Sequence, residues 1–148
     1  MFPLPQAGGE YGDRMKLFIG NKAYSSWSLR GWLAARHSGL PFEEVTVPLY
    51  DEDWNRRREG DEFAPSGGKV PILWDGNDIV VWDSLAIIDY LNEKTGGARG
   101  YWPADMAARA MARSMAAEMH ASFSALRRHH SMNIRRIYPA VELLPEVQ

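Results

Sequence analysis

The 148 residues carry a formal net charge of −2, 45% hydrophobic side chains, six tryptophans and no cysteine. This composition can bury the core of one domain, or of a small domain plus part of a second, and it excludes a disordered chain. Without cysteine, disulfides, zinc–cysteine sites and dithiol redox chemistry within the chain are excluded, and the balanced charge gives no general attraction to nucleic acid or anionic membrane.

Residues 1–14, with Pro3, Pro5, Gly8, Gly9 and Gly12, read as a flexible leader or tag without the layout of a secretory signal. No run approaches the ~20 apolar residues of a bilayer span, so the cytoplasm is the expected compartment. Lys16 to Ile19 predicts a strand. Ser25, Ser26 and Ser28 crowd the start of a helix running to His37, on which Trp27, Leu29, Leu33, Ala34 and Ala35 can share an apolar face. Gly39 and Pro41 stop it. Glu43 to Val47 reads as a short strand, and Tyr50 to Phe63 as charged, irregular and exposed.

Val70 to Trp74 and Asp78 to Trp82 flank Asp75-Gly76-Asn77, a hairpin signal. Asp83 can cap a helix on which Leu85, Ile88 and Leu91 recur at helical spacing, ending before Gly96-Gly97. The order predicts an α/β domain over 15–97, in which a βαβ unit and a ββα unit form one mixed sheet covered by helices. A linker at 98–104 leads to a partial all-α region over 105–148. There Asp105 caps a long helix to about residue 130, and its Met111, Met115, Met119, Phe123, Leu126 stripe reads as core packing. Arg56-Arg57-Arg58 reads as a solvated loop, and Arg127-Arg128-His129-His130 as the positive end of a helix.

Three places carry chemistry. The serines at the start of the first helix read plainly as caps, and only their neighbours can decide whether one of the hydroxyls has another use. Pro71 lies early in a strand, where it donates no ladder hydrogen bond; a strand-start position or a cis Val70-Pro71 bond both accommodate it. Asp83-Ser84 puts a carboxylate and a hydroxyl at a helix N-terminus, able to hold the two ends of an α-amino acid group, with capping as the plain alternative.

Together these motifs resemble the glutathione transferases over most of residues 15–138. Ser25-Ser26-Trp27-Ser28 with Arg30 is similar to the serine motif of the zeta-class enzymes, with Trp27 where their cysteine stands; Lys69 to Leu73 resembles the family's cis-proline strand, and Asp83 to Leu91 its Asp/Glu-Ser helix. The resemblance implies a thioredoxin-like glutathione-binding domain followed by the first part of an all-α domain. It implies that Ser25 is the catalytic hydroxyl, with Ser26 nearby. Val70, next to Pro71, would pair its backbone with the cysteinyl part of glutathione, Asp83 and Ser84 would hold the γ-glutamyl end, and Lys69 with Arg57 would meet the glycyl carboxylate. Trp27, Met119, His120, Phe123 and Arg127 would line the half of the cleft that takes a small hydrophobic electrophile. A homodimer, a detoxification role and no metal are further implications.

An ordinary thiol titrates near 8.5, and a hydroxyl donor plus a helix N-terminus favours its anion. A chain without cysteine can therefore run thiol chemistry on a sulfur that its ligand brings. The expected function is a glutathione transferase; the alternative is a non-catalytic glutathione-transferase-like binding module with an incomplete substrate domain. Trp27 in the cysteine's place argues against the maleylacetoacetate isomerisation of the zeta class. A complete second domain would need more helices than residues 105–148 provide, which would leave the methionine stripe exposed and favour association.

Overall fold

A computed structural model describes residues 14–76 and 78–147. The proposed leader, apart from Arg14, and Asn77 of the hairpin turn lie outside the described residues. The elements are β1 (Met15–Ile19), α1 (Ser26–Ser38), β2 (Phe42–Thr46), α2 (Glu52–Arg57), β3 (Ile72–Asp75), β4 (Ile79–Trp82), α3 (Ser84–Lys94), α4 (Met106–Ala121) and α5 (Ser124–His129), with short 3-10 turns at Ala64–Ser66 and Pro145–Val147. The sheet order is β2-β1-β3-β4, with β1 and β2 parallel and the other pairs antiparallel. This is the expected mixed βαβ–ββα sheet of thioredoxin-like form, with helices following it.

Strand alternation distributes the core. On β1, Met15, Leu17 and Ile19 join Leu73 of β3 against Ala34 and Ala35 of α1 and Ile87 and Leu91 of α3. Phe18, Ile72 and Trp74 point to the other face, where Val47, Trp54 and Phe63 cover them. The central strand is thus buried on both sides, as its unbroken apolar run Leu17-Phe18-Ile19 requires. Proline has no N–H to give a ladder, and β3 begins at Ile72, just after Pro71, with Phe18 opposite Ile72 as the last pair. The Val70–Pro71 bond is cis.

The segment from Tyr50 to Phe63 departs from the expected exposed, irregular loop. Asp51 caps α2 by accepting from Trp54 N at 2.7 Å, with Glu52 and Asp53 in the first turn and Arg56 and Arg57 in the last. Trp54 and Phe63 are buried edge-to-face, with ring centroids 5.0 Å apart, and Phe63 meets Phe18 in the same way at 5.4 Å. The charged residues between these two aromatics hide their pattern.

The expected single helix from 105 to about 130 is two. Phe123, at φ 63°, breaks it between α4 and α5. The methionine stripe does not pack as core either: Met111 and Met115 are each 62% exposed, and α4 has no buried residue. Tyr101 Oη donates to Ala34 O at 2.6 Å and Trp102 Nε1 to Asp89 Oδ1 at 2.6 Å, which ties the segment before α4 to α1 and α3. Among the described residues no helix is long and apolar enough to cross a membrane.

Candidate active site

Ser25 is the N-cap of α1. Its backbone is extended, and its Oγ accepts from Ser28 N at 3.2 Å. Ser28 is fully buried; its Oγ accepts from Gly20 N at 2.9 Å and lies 2.9 Å from Ser25 Oγ. The three serines therefore divide their tasks. Ser28 satisfies a buried backbone donor and holds Ser25, whereas Ser26 is the first helical residue. Replacing Ser28 by Ala strands Gly20 N–H, and we expect a loss of about 1–3 kcal/mol in urea unfolding, against less than about 0.5 kcal/mol for Ser26→Ala.

Ser25 opens on a cleft of about 610 Å³. Trp27 shares the α1 side; Lys69, Val70 and Pro71 come from the turn into β3, and Asp83 and Ser84 from the start of α3. Seven of the residues singled out in the sequence thus meet around one space. Leu49, Trp54, Ser66, Gly68 and Trp82 complete it and were not anticipated. Ser66 carried a readable signal in Ser66-Gly67-Gly68: its Oγ accepts from Lys69 N at 2.9 Å and lies 2.7 Å from Lys69 O, fixing the turn that presents Lys69.

Asp83 and Ser84 differ in their bonding. Asp83 caps α3, its Oδ1 accepting from Leu85 N at 3.0 Å, and its φ of 74° is a conformation non-glycine residues seldom adopt. Ser84 is 1% exposed, and its Oγ has no hydrogen-bond partner among the described residues. A buried hydroxyl without a partner is costly unless something else supplies one. Its place beside the N-terminus of an 11-residue helix, on the cleft wall, suits a ligand carboxylate.

Other anticipated residues stand away from the cleft wall. Ser26 does not line it. Arg57 donates through Nε to Glu62 Oε2 at 2.9 Å and lies over Phe18 and Phe63, so it serves α2 and the core beneath it. Met119, His120, Phe123 and Arg127 do not line the cleft; His120 and Arg127 pack on Trp27 instead. The His120 ring meets the Trp27 ring edge-on at 4.9 Å, with Nε2 3.1 Å from Asp83 Oδ2. The Arg127 guanidinium lies 4.8 Å from the Trp27 ring centre and bonds to the carbonyls of Ser122 and Met119, bracing the break before α5. Met119 and Phe123 remain substantially exposed.

Arg30, noted in the sequence but given no role, stacks on Trp27 at 4.0 Å. Its Nη2 is buried and has no hydrogen-bond partner among the described residues. Burial, then the charge of Arg127, lowers the pKa of its guanidinium, and Asp83 opposes this. Among the described residues no cluster of three His, Asp or Glu side chains is placed to hold a metal ion.

In this thioredoxin-like sheet the α1 and α3 N-termini open on one cleft that carries a capping serine and a buried hydroxyl, an arrangement whose chemistry suits a small anionic ligand. Residues 24–94 match the family model of the glutathione S-transferase N-terminal domain, and over that stretch the chain is similar to the glutathione transferase family. It is 44% identical over 63 residues to the dichloromethane dehalogenase of Methylorubrum extorquens, an alignment covering 43% of this chain and 21% of that one. It is 33% identical over 81 residues to mouse (Mus musculus) glutathione S-transferase theta-2, covering 53% and 31%. Among solved structures, human glutathione S-transferase T1-1 in its apo form is 31% identical with a TM-score of 0.59, covering 77% of this chain and 44% of that one. A glutathione transferase homolog from Burkholderia with bound glutathione is 25% identical with a TM-score of 0.60, covering 78% and 58%. The chain thus spans about a fifth to a third of these two curated relatives and about half of these structures.

Proposed function

We propose that the cleft binds glutathione and that Ser25 steadies its sulfur as a thiolate for attack on a small hydrophobic electrophile. The observation that carries this reading is the convergence of Ser25, Val70 and the Asp83–Ser84 pair on one cleft, with Ser84 Oγ buried and unpartnered in its wall. In this reading Ser84 and the α3 N-terminus take the γ-glutamyl carboxylate, and Asp83 takes the ammonium. The Val70 backbone, beyond the last ladder pair, meets the cysteinyl amide, and Lys69, on the cleft where Arg57 is not, meets the glycyl carboxylate. Ser25 need not lose its proton, since its task is to donate toward negative charge. Similarity to a glutathione transferase homolog with bound glutathione and to glutathione S-transferase theta-2 supports the ligand.

Titration calorimetry with glutathione tests the binding half. The parent is expected to bind, and Ser84→Ala to bind about tenfold or more weakly, the return of one hydrogen bond to a charged group. Equal affinity in the two proteins would remove Ser84 from the site, and no uptake by either would remove the reading of the cleft.

A further inference from the structure

The Asp83 side chain is held from two helices. Its Oδ1 accepts from Leu85 N of α3, and its Oδ2 lies 3.1 Å from Nε2 of His120, in the last turn of α4. A carboxylate only accepts hydrogen bonds, so the imidazole presents a hydrogen at Nε2. Its other nitrogen, Nδ1, is buried and has no hydrogen-bond partner among the described residues. Such an atom is costly, and α4 buries none of its residues, so core packing does not account for the ring's placement. The ring is wedged edge-on against Trp27 at 4.9 Å, and Trp27 in turn carries the guanidiniums of Arg30 at 4.0 Å and Arg127 at 4.8 Å.

Arg30 makes this grip consequential. Asp83 raises the pKa of the Arg30 guanidinium, so the two charges attract each other, and Arg30 Nη2 has no hydrogen-bond partner among the described residues. A carboxylate free to turn would be drawn toward that nitrogen and away from the cleft it lines. With Oδ1 and Oδ2 each engaged, the Asp83 side chain is fixed, and each oxygen keeps a further lone pair for a ligand.

We propose that His120 is a positioning residue: through Nε2 it aims the Asp83 carboxylate at the ammonium of the bound ligand's α-amino acid end. This rests on the cleft taking glutathione with its γ-glutamyl end at Asp83 and Ser84. It makes ammonium recognition at the start of α3 depend on the docking of α4, and it moves His120 from the electrophile half of the cleft to the opposite end of the ligand.

Titration calorimetry compares glutathione with deaminated glutathione, which has hydrogen in place of the α-ammonium, on the parent, His120→Ala and His120→Gln, with circular dichroism to check folding. His120→Ala is expected to lose about fivefold in glutathione affinity, the return of one ordinary hydrogen bond, and to hold the analogue within about twofold of the parent. His120→Gln, whose amide N–H can reach the same oxygen, is expected to stay within about twofold of the parent for both ligands. In an Asp83→Asn background, His120→Ala is expected to cost glutathione nothing further, because the charge it aims is gone. Equal weakening of both ligands by His120→Ala overturns the inference, as does undiminished glutathione binding, or a loss that persists in the Asp83→Asn background. Should the analogue not bind the parent, the Asp83→Asn background alone decides. No uptake of glutathione by the parent overturns the reading of the cleft as well.

Discussion

Ser25→Ala is expected to slow conjugation of glutathione to a chlorinated nitrobenzene by about 100-fold, the usual cost of one preorganised donor to a developing anion. Glutathione affinity is expected to stay within about threefold, because the neutral thiol gains little from that hydroxyl. The alanine also removes the α1 cap, which costs about 1 kcal/mol of stability, so rates are compared well below the unfolding temperature. Ser25→Thr, which keeps a hydroxyl and a cap, is expected to recover part of the rate, and Ser26→Ala to match the parent. Undiminished turnover in Ser25→Ala would remove this residue from the chemistry. No turnover in a parent that still takes up glutathione would favour a binding module without catalysis.

The largest effect on stability is expected at Phe63. Its fully buried ring stands edge-on to both Trp54 and Phe18 and bridges the α2 segment to the sheet. Truncation to Ala removes that apolar area and leaves a cavity that the strand cannot collapse into, at a cost of about 3–5 kcal/mol. Marginal domains of this size hold only about 5–15 kcal/mol, so the variant is expected to unfold at a much lower urea concentration. Trp54 lines the cleft as well as this core, so glutathione affinity is expected to fall along with stability in Phe63→Ala. A loss under about 1 kcal/mol would mean that α2 and its loop do not pack on the sheet as described.

Local signals made much of this fold readable. The start of α1, its stop at Gly39, the cap at Asp83 and the hairpin strands depend on residues within a few positions of one another. Pro71 and the serines led to the cleft because their cost or redundancy is itself local. Burial is a different matter. Trp54 and Phe63 are nine positions apart among charged residues, with no period to link them, and only Phe18 and Trp74 on distant strands make them core. The break at Phe123 was hidden because the apolar spacing runs through it and neither glycine nor proline marks it; the Arg127 side chain, which bonds the carbonyls before the break, braces it. Arg57 shows the same limit: a run of three arginines says nothing about which one has Glu62 and two rings beneath it. The contact of His120 with Asp83 depends on the end of α4 meeting the start of α3, which no stretch of sequence displays.

In the proposed site a hydroxyl at residue 25 and the N-terminus of α1 hold a ligand's sulfur as an anion, which ultraviolet titration of the thiolate band of bound glutathione detects. The expected apparent pKa is about 2 units below the ordinary value near 8.5, with a return most of the way toward that value in Ser25→Ala. A bound thiol that titrates near 8.5 in the parent, or one whose lowered value is untouched by the alanine, would contradict it.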